Sequence, residues 1–519
     1  MLSLFYAEIP IAMKTEIAIL ASAATLGVLS DLLFHDSFYQ SVPSGLNIAA
    51  WMVTLAVSVL IIARGTLKRP SKAGLALMAP VIMLACNCSW RDSATLRLLD
   101  LGVLAFCLSL SSSAFKGYQV LSAGLTQYLG HAIACSSGVM AGPFKLLFAD
   151  IDWANFIPPA LRKHGAAILR GMAIALPLLA LFGLLFMAAD AAFESVVHNS
   201  LHFDLSATFK HAALTLFSAL VAAGFLHTTF FDYGSGLKFP QQDNGNPQKL
   251  ASVELAVILG SMDLLFLSFV IVQFKYFFGG AALVGVTANL SYAEYARRGF
   301  FELVTVAALV LPILLTLDWL TPATRPGKTI FRALAGGQIA LLFVIMVSAL
   351  QRMRIYQLEY GLTELRLYTT AFMLWTALVC VIFTCTVLTG KRKHFAFATF
   401  ISGLFATMFL HFANPDALIT KVNIARAKEG KTFDVPYALS LSNDAVPVLM
   451  AHLNELNESD RKQIAGAFLS GYSCAWKTDW RAWNWSRSRA FQSVHKHKTE
   501  LQRLLCIKPS EELPTKLVH

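Results

Sequence analysis

The sequence predicts an all-α integral membrane protein: about eleven transmembrane helices followed by a small C-terminal helical extracytoplasmic domain. Three observations lead there. Of 519 residues, 56% are hydrophobic and only 14% charged, against roughly half and a quarter in a soluble domain. The apolar residues gather in runs of about 18–23, the length a helix needs to cross a hydrocarbon core of about 30 Å. The basic excess, a net charge of +11, collects at the ends of those runs, which is the footprint of membrane insertion rather than of nucleic-acid binding.

In chain order the spans fall near 15–34, 46–63, 73–90 and 94–113, making an N-terminal group over 1–113. A connection follows over 114–167. Spans near 168–189, 210–231, 253–278, 299–320, 331–351, 368–389 and 395–412 then fill 168–412, and residues 413–519 form the final domain. Arg64, Lys68, Arg69 and Lys72, Arg325, Lys328 and Arg332, and Lys391, Arg392 and Lys393 all fall on one side. So do Lys14 and the basic residues of 114–170 and 232–252. The opposite connections carry only Arg91, Arg297, Arg298, Arg352, Arg354 and Arg366. The positive-inside rule therefore puts the N-terminus in the cytoplasm and the C-terminus outside. A crossing at 119–149 would expose either the 64–72 or the 391–393 basic loop, so that segment reads as an interfacial helix. The first apolar run ends at Ser30-Asp31-Leu32 without a small-x-small cleavage site, so the first helix reads as retained.

Beyond His411 helix signals continue without another apolar span. Asn414-Pro415-Asp416 reads as N-cap, first-position proline and first-turn acid of a helix stopping at Gly430. Asp444 is placed to cap a second helix and Ser459 or Asp460 a third, with a longer basic helix over Trp480–Leu505. Cys474 and Cys506 share this domain, in a compartment that permits a disulfide; the alternative is two unpaired buried thiols. The remaining cysteines show no zinc-type spacing, so no metal is expected.

The segment Ser291–Leu303 enters the eighth span from outside. As a helix it sets Glu294, Arg298 and Glu302 in an ion-paired ladder, with Tyr292, Tyr295 and Arg297 alongside. The next outer connection holds Tyr360, Glu364 and Arg366, where Gly361 suits a helix C-cap and Thr363 an N-cap. Arginine forks suit phosphate or carboxylate, so the two clusters read either as rigid corners or as an anion-binding surface. Within spans, Asp263 has no local basic partner, whereas Arg97 and Asp100 lie three apart and can pair with each other. Both aspartates are candidates for ion coupling. His198 and His202, with Asp204 nearby, lack a third ligand at a telling spacing. Trp476, Trp480, Trp483 and Trp485 fit a domain core or a bilayer interface better than nucleic acid. No phosphate-binding loop, dinucleotide fingerprint or nucleophile elbow is present, and no cofactor is implied.

Four segments carry a resemblance: Tyr292–Glu302, Glu359–Tyr368, Asn414–Ile419 with Asn423 and Arg426, and Asp479–Asn484 followed by Ser486-Arg487. Together they resemble the marker segments of the Domain of Unknown Function 4173 family of bacterial multi-pass membrane proteins, over roughly residues 160–490. The resemblance implies a bacterial inner-membrane protein with a periplasmic C-terminal domain, and no catalytic residue. The expectation is a non-enzymatic component, embedded among lipids, that binds an anionic small molecule or an envelope protein at its periplasmic face. The alternatives are a proton- or cation-coupled secondary transporter and an enzyme acting on a lipid-linked substrate through Glu294 or Glu364.

Overall fold

The computed structural model describes residues 11–39, 44–66, 71–151, 205–231, 250–278, 300–322, 324–472 and 479–505, with isolated helical positions between 168 and 189. Among the described residues there is no strand. Eleven helices among the described residues are long and apolar enough to cross a membrane. They are α1 (Ile11–Tyr39), α2 (Leu46–Thr66), α3 (Lys72–Trp90, broken at Leu77), α4 (Ala94–Phe115), α5 (Leu125–Lys145), α6 (Leu205–Phe230), α7 (Ser252–Phe278), α8 (Phe300–Leu320), α9 (Arg325–Tyr360), α10 (Glu364–Thr386) and α11 (Phe395–Ala413). The chain is an all-α multi-pass membrane protein. Helices are the solution lipid imposes, because each satisfies its own backbone hydrogen bonds.

These eleven are not quite the expected set. The segment read as interfacial is α5, continued by a π-turn over Leu146–Asp150, whereas the 168–189 span lies largely outside the described residues. Contacts fix which end of the bundle α5 occupies. Phe115 at the end of α4 packs on Phe230 at the end of α6, with centroids 5.9 Å apart. Asp150, just past α5, pairs with His227 of α6 at 2.8 Å. Thus α5 starts shortly after α4 ends and finishes at that same end, here called the far end. The start of α6 lies at the opposite end, where the Tyr39 hydroxyl donates to the Lys210 carbonyl.

Small residues let helices approach closely, as lipid-embedded packing favours. A Cβ on Gly27 of α1 would sit 2.6 Å from the Thr215 carbonyl of α6, and one on Gly224 would sit 2.0 Å from the Val139 carbonyl of α5. One apolar core joins α7 to α10 through Leu259, Leu314, Leu342 and Phe383. Another joins α1, α2 and α6 through Ile19, Val59 and Leu226.

The C-terminal domain comprises α12 (Pro415–Lys428), α13 (Val435–Ser440), α14 (Val446–Ala451), α15 (Glu458–Gly471), α16 (Trp485–Lys496) and α17 (Lys498–Leu504), around Ile424, Leu449, Ile464 and Leu501. Its first helix is bounded as expected, with Pro415 at the start and Gly430 at φ 84° just beyond the end. Other local expectations are corrected. Asn414 makes no side-chain cap; it takes the left-handed conformation (φ 50°) and turns α11 directly into α12. Asp444 caps nothing, because its carboxylate is drawn into the junction described below. Asn457, rather than Ser459 or Asp460, caps α15 through the Asp460 N–H at 2.8 Å. The basic C-terminal helix is interrupted: a short 3₁₀ turn over Trp480–Ala482 precedes α16, which Asn484 caps, and His497 separates α17. Cys474 and Cys506 lie outside the described residues.

Gly224→Ala forces a methyl into the Val139 carbonyl and is expected to cost about 1–3 kcal/mol, read as a lower thermal midpoint of the detergent-purified protein. Gly102→Ala, which meets nothing within 4 Å, should leave the midpoint unchanged.

Candidate functional site

The α3–α4 corner and the C-terminal domain meet in a buried polar junction. A tight corner leaves Arg91, Asp92 and Ser93 between two helix ends, and the domain supplies their partners. Arg91 donates through Nη1 to Asp444 at 3.1 Å and through Nε to the His411 carbonyl at 2.9 Å. The Asp92 N–H donates to the second Asp444 oxygen at 2.8 Å. Ser442 and Ser486 hydroxyls also bond to Asp444. Asp92 in turn receives Arg97 at 3.1 Å, Arg487 at 3.0 Å and Asn443 at 2.7 Å. The Asn484 amide donates at 3.0 Å to both the Cys88 and Arg91 carbonyls, closing the frayed end of α3. Arg481 extends the attachment to α1, bonding Asp36 and the Leu32 carbonyl. Burial pushes the Arg487 guanidinium down from its ordinary value, and the Asp92 carboxylate opposes that shift. Trp480, Trp483 and Trp485 remain exposed beside this attachment, as an interfacial belt requires.

A second weld holds the α9–α10 corner to α12. Asn423 accepts the Leu362 N–H at 2.8 Å and donates to its carbonyl at 2.9 Å, while Arg426 donates to the Leu358 and Glu359 carbonyls. Gly361 is required twice over. It adopts φ 79°, and a Cβ there would lie 2.6 Å from Arg426 and 2.7 Å from Asn423. Arg366 stacks 4.1 Å from the Tyr356 ring centroid and donates to the Gly361 carbonyl. The Glu364 carboxylate accepts from Thr95 at 3.3 Å, and its N–H donates to Tyr437. Thr363 occupies the expected cap position without a side-chain bond. Tyr360 is exposed.

Two polar positions lie within the bundle itself. Asp100 does not pair with Arg97, which turns to Asp92; it meets His411 Nε2 at 2.9 Å. Both side chains are essentially inaccessible (1% and 0%), and Asp100 Oδ2 and His411 Nδ1 make no hydrogen bond. The second polar position lies between α7 and α9, which run side by side from the far end: the Leu250 N–H bonds to the Leu320 carbonyl, and α9 opens a few residues later. Asp263, near the middle of α7, therefore sits at the depth of Gly336-Gly337-Gln338 on α9. Asp263 Oδ2 lies 3.5 Å from the position of a Gly337 Cβ. Gln338 is fully buried, and neither its amide nitrogen, its amide oxygen nor Asp263 Oδ1 has a hydrogen-bond partner.

Residues 78–452 match the family model of the Domain of unknown function (DUF4153). The chain belongs to the DUF4153 family. An uncharacterised family was the content of the resemblance; the model that matches carries the number 4153 and not 4173, and it begins early enough to take in Arg91, Asp92 and Asp100. Comparison with curated proteins and with solved structures finds no match.

Of the residues singled out from sequence, Tyr292, Glu294, Tyr295, Arg297 and Arg298 lie outside the described residues, as do His198 and His202; Glu302 is exposed on α8. Tyr360, Glu364 and Arg366 come together at the α9–α10 corner. Sequence reasoning missed the partnership of Arg91 and Asp92 with Asp444 and Arg487, which joins residues some 350 positions apart. It also missed Gln338. The only local signal was a glutamine after two glycines in an apolar run. Among the described residues one group of side chains brings three metal-ligating atoms within 4.8 Å of one another: Asp31, His35 and His211.

Two outcomes follow from the junction. Arg487→Ala removes one partner of a buried ion pair and is expected to cost about 3–5 kcal/mol, seen as earlier release of the domain in limited proteolysis. Asp416 is buried at the same junction, where it accepts Ser442, and its Oδ1 has no partner. Burial pushes its carboxyl up to about 6, with Glu364 and Asp444 adding to the shift. Its neutral form thus fits the fold best: the stabilisation is complete below the unfolded value near 3.8 and is lost as pH rises through about 6. Asp416→Asn should flatten the fall in thermal midpoint between pH 4 and 7, a contribution on the order of 2–3 kcal/mol.

Proposed function

We propose that this chain is a proton- or cation-coupled membrane transporter in which Asp263 is the coupling carboxylate and Gln338 its neighbour in the ion site. The observation that carries the reading is the contrast between the two polar regions. At the junction the charges of Arg91, Asp92, Arg97, Asp444 and Arg487 are all met by partners, as a structural joint requires. Between α7 and α9, at mid-helix depth, a carboxylate oxygen and a whole amide are buried without partners. An unsatisfied buried polar group costs about 1–3 kcal/mol, and ionisable groups at membrane depth most often mark ion pathways. A carboxylate and an amide oxygen are suitable ligands for a small hard cation, and the carboxylate can exchange a proton for that ion without breaking a structural bond. The Asp100–His411 pair is a second station on the domain side, its outer nitrogen and oxygen likewise without partners.

The topology that accompanies this reading has the far end in the cytoplasm of a bacterial inner membrane. The basic clusters at Arg325–Arg332 and Lys391–Lys393 lie there, and the C-terminal domain is then periplasmic. In it α5 lies along the cytoplasmic face, in keeping with its start and finish at one end. An outer-face binder for an anionic group has less support: Arg366 is committed to Tyr356 and Gly361, and Arg426 to the α9 carbonyls.

The test is a titration of weakly buffered protein in lipid nanodiscs with sodium, potassium or lithium chloride. The wild type should release about one proton per chain on binding one of these cations, and Asp263→Asn should release none. Gln338→Leu should raise the thermal midpoint, because it removes an unpaired amide, while weakening cation binding. Equal proton release by wild type and Asp263→Asn, or none by either, would contradict the reading.

A further inference from the structure

We infer that Asp31, His35 and His211 form a binding site for a late first-row divalent metal ion, with zinc as the representative. The inference uses none of the residues assigned to ion coupling and stands or falls apart from that reading. Asp31 and His35 are four residues apart on α1 and so share one face. His211 reaches them from α6, across the helix pair held together by Gly27 and by the Ser30–Ser218 hydroxyl contact at 2.7 Å. All three lie at the domain end of the bundle, one turn from the Tyr39–Lys210 contact.

The three donor atoms lie within 4.8 Å of one another. His211 Nδ1 lies 2.9 and 2.8 Å from the two Asp31 oxygens, and His35 Nδ1 lies 3.5 Å from the nearer one. The two imidazoles stack face to face, with centroids 3.6 Å apart and planes 7° from parallel, so both Nδ1 atoms point at one carboxylate. A histidine–aspartate hydrogen bond accounts for His211 alone. His35 Nδ1 is buried and makes no hydrogen bond, an orphaned nitrogen aimed at an anionic oxygen that is already occupied. Protonating both rings would stack two like charges at van der Waals distance. One divalent cation among the three atoms resolves each difficulty, since it accepts both neutral nitrogens and balances the carboxylate.

The ligand set selects the ion. Two imidazoles and a carboxylate suit zinc, nickel or copper, whereas magnesium and calcium require oxygen ligands. Zinc takes nitrogen at about 2.0–2.1 Å and carboxylate oxygen at about 2.0–2.2 Å, which sets tetrahedral ligand atoms roughly 3.3 Å apart. The observed separations of 2.8 and 3.5 Å straddle that value; binding further requires the parallel rings to turn out of their stack, so that both in-plane nitrogen lone pairs meet one ion. Three protein ligands leave a fourth position, and the half-exposed His211 ring opens it to solvent. The neighbouring charges are Lys210, whose ammonium lies over the Tyr39 ring, and Asp36, which Arg481 already neutralises.

The test uses the full chain, purified without a histidine tag and stripped with chelator, titrated with zinc chloride against a chromophoric competitor. Wild type should bind one equivalent, with a rise in thermal midpoint. His211→Ala should lower the affinity about tenfold or more and abolish that rise; because its ring is half exposed, the apo midpoint should hold. Asp31→Asn should behave alike, and His452→Ala, at an exposed histidine on the C-terminal domain, should bind as wild type. Tighter binding of nickel or copper that is lost in the same variants would keep the site and change its ion. Less than a tenth of an equivalent in wild type, or undiminished binding in His211→Ala, would overturn the inference.

Discussion

A charge taken out of water must be met by partners, and Asp444 shows how much of this architecture hangs on one such charge. Its carboxylate is buried, and it accepts from Arg91, from the Asp92 N–H, and from the Ser442 and Ser486 hydroxyls. Those four donors come from the α3–α4 corner, the loop before α14 and the first turn of α16. Removing the carboxylate would leave Arg91 with the His411 carbonyl and the Trp90 ring, and would strip the junction of its central acceptor. The same corner passes the constraint inward: Asp92 holds Arg97, which frees Asp100 for His411, and His411 sits one turn from the Asn414 reversal that begins the domain.

This chain of dependence separates structural charge from charge that has another role. At the junction Arg487 is engaged on every side, by Asp92 and by the Ala482 and Ser44 carbonyls. Such a group stabilises when complete and is costly when broken, and it has no free valence for a ligand. Asp263 and Gln338 are the reverse case. Gln338 is fully buried on α9, Asp263 is partly buried on α7, and the Gln338 amide and Asp263 Oδ1 meet no donor or acceptor. The arrangement lowers stability, and the exchange of an ion or a proton proposed above would give it a use.

The sequence disclosed the parts governed by periodicity and composition. Ten of the span positions, the proline start of α12, the glycine stop at Gly430 and the positive-φ cap at Gly361 are local signals, and they could be read directly. Asp263 was also legible, since an acid in an apolar run with no base nearby has few structural explanations. What escaped depends on contacts between distant segments. Asp444 reads as a helix cap because aspartate before a helix usually is one, and only the arrival of Arg91 from far up the chain diverts it. Arg97 and Asp100 have the spacing of a local pair, yet each finds a better-placed partner in Asp92 and His411. His35 and His211 are unremarkable singly; the stack exists because Gly27 lets α1 and α6 close together. Composition likewise makes α5 eligible to cross, whereas the Asp150–His227 bond brings both its ends to one side.

In the proposed transporter Asp263 changes protonation as part of the working cycle. Infrared difference spectroscopy on the protein in lipid reads this most directly, through the carbonyl stretch of a protonated buried carboxyl recorded across a pH titration and on addition of the cation. The account predicts a band that appears and disappears with pH, shifts or is lost when the cation binds, and is absent from Asp263→Asn. A spectrum in which that variant is identical to wild type under every condition would contradict it.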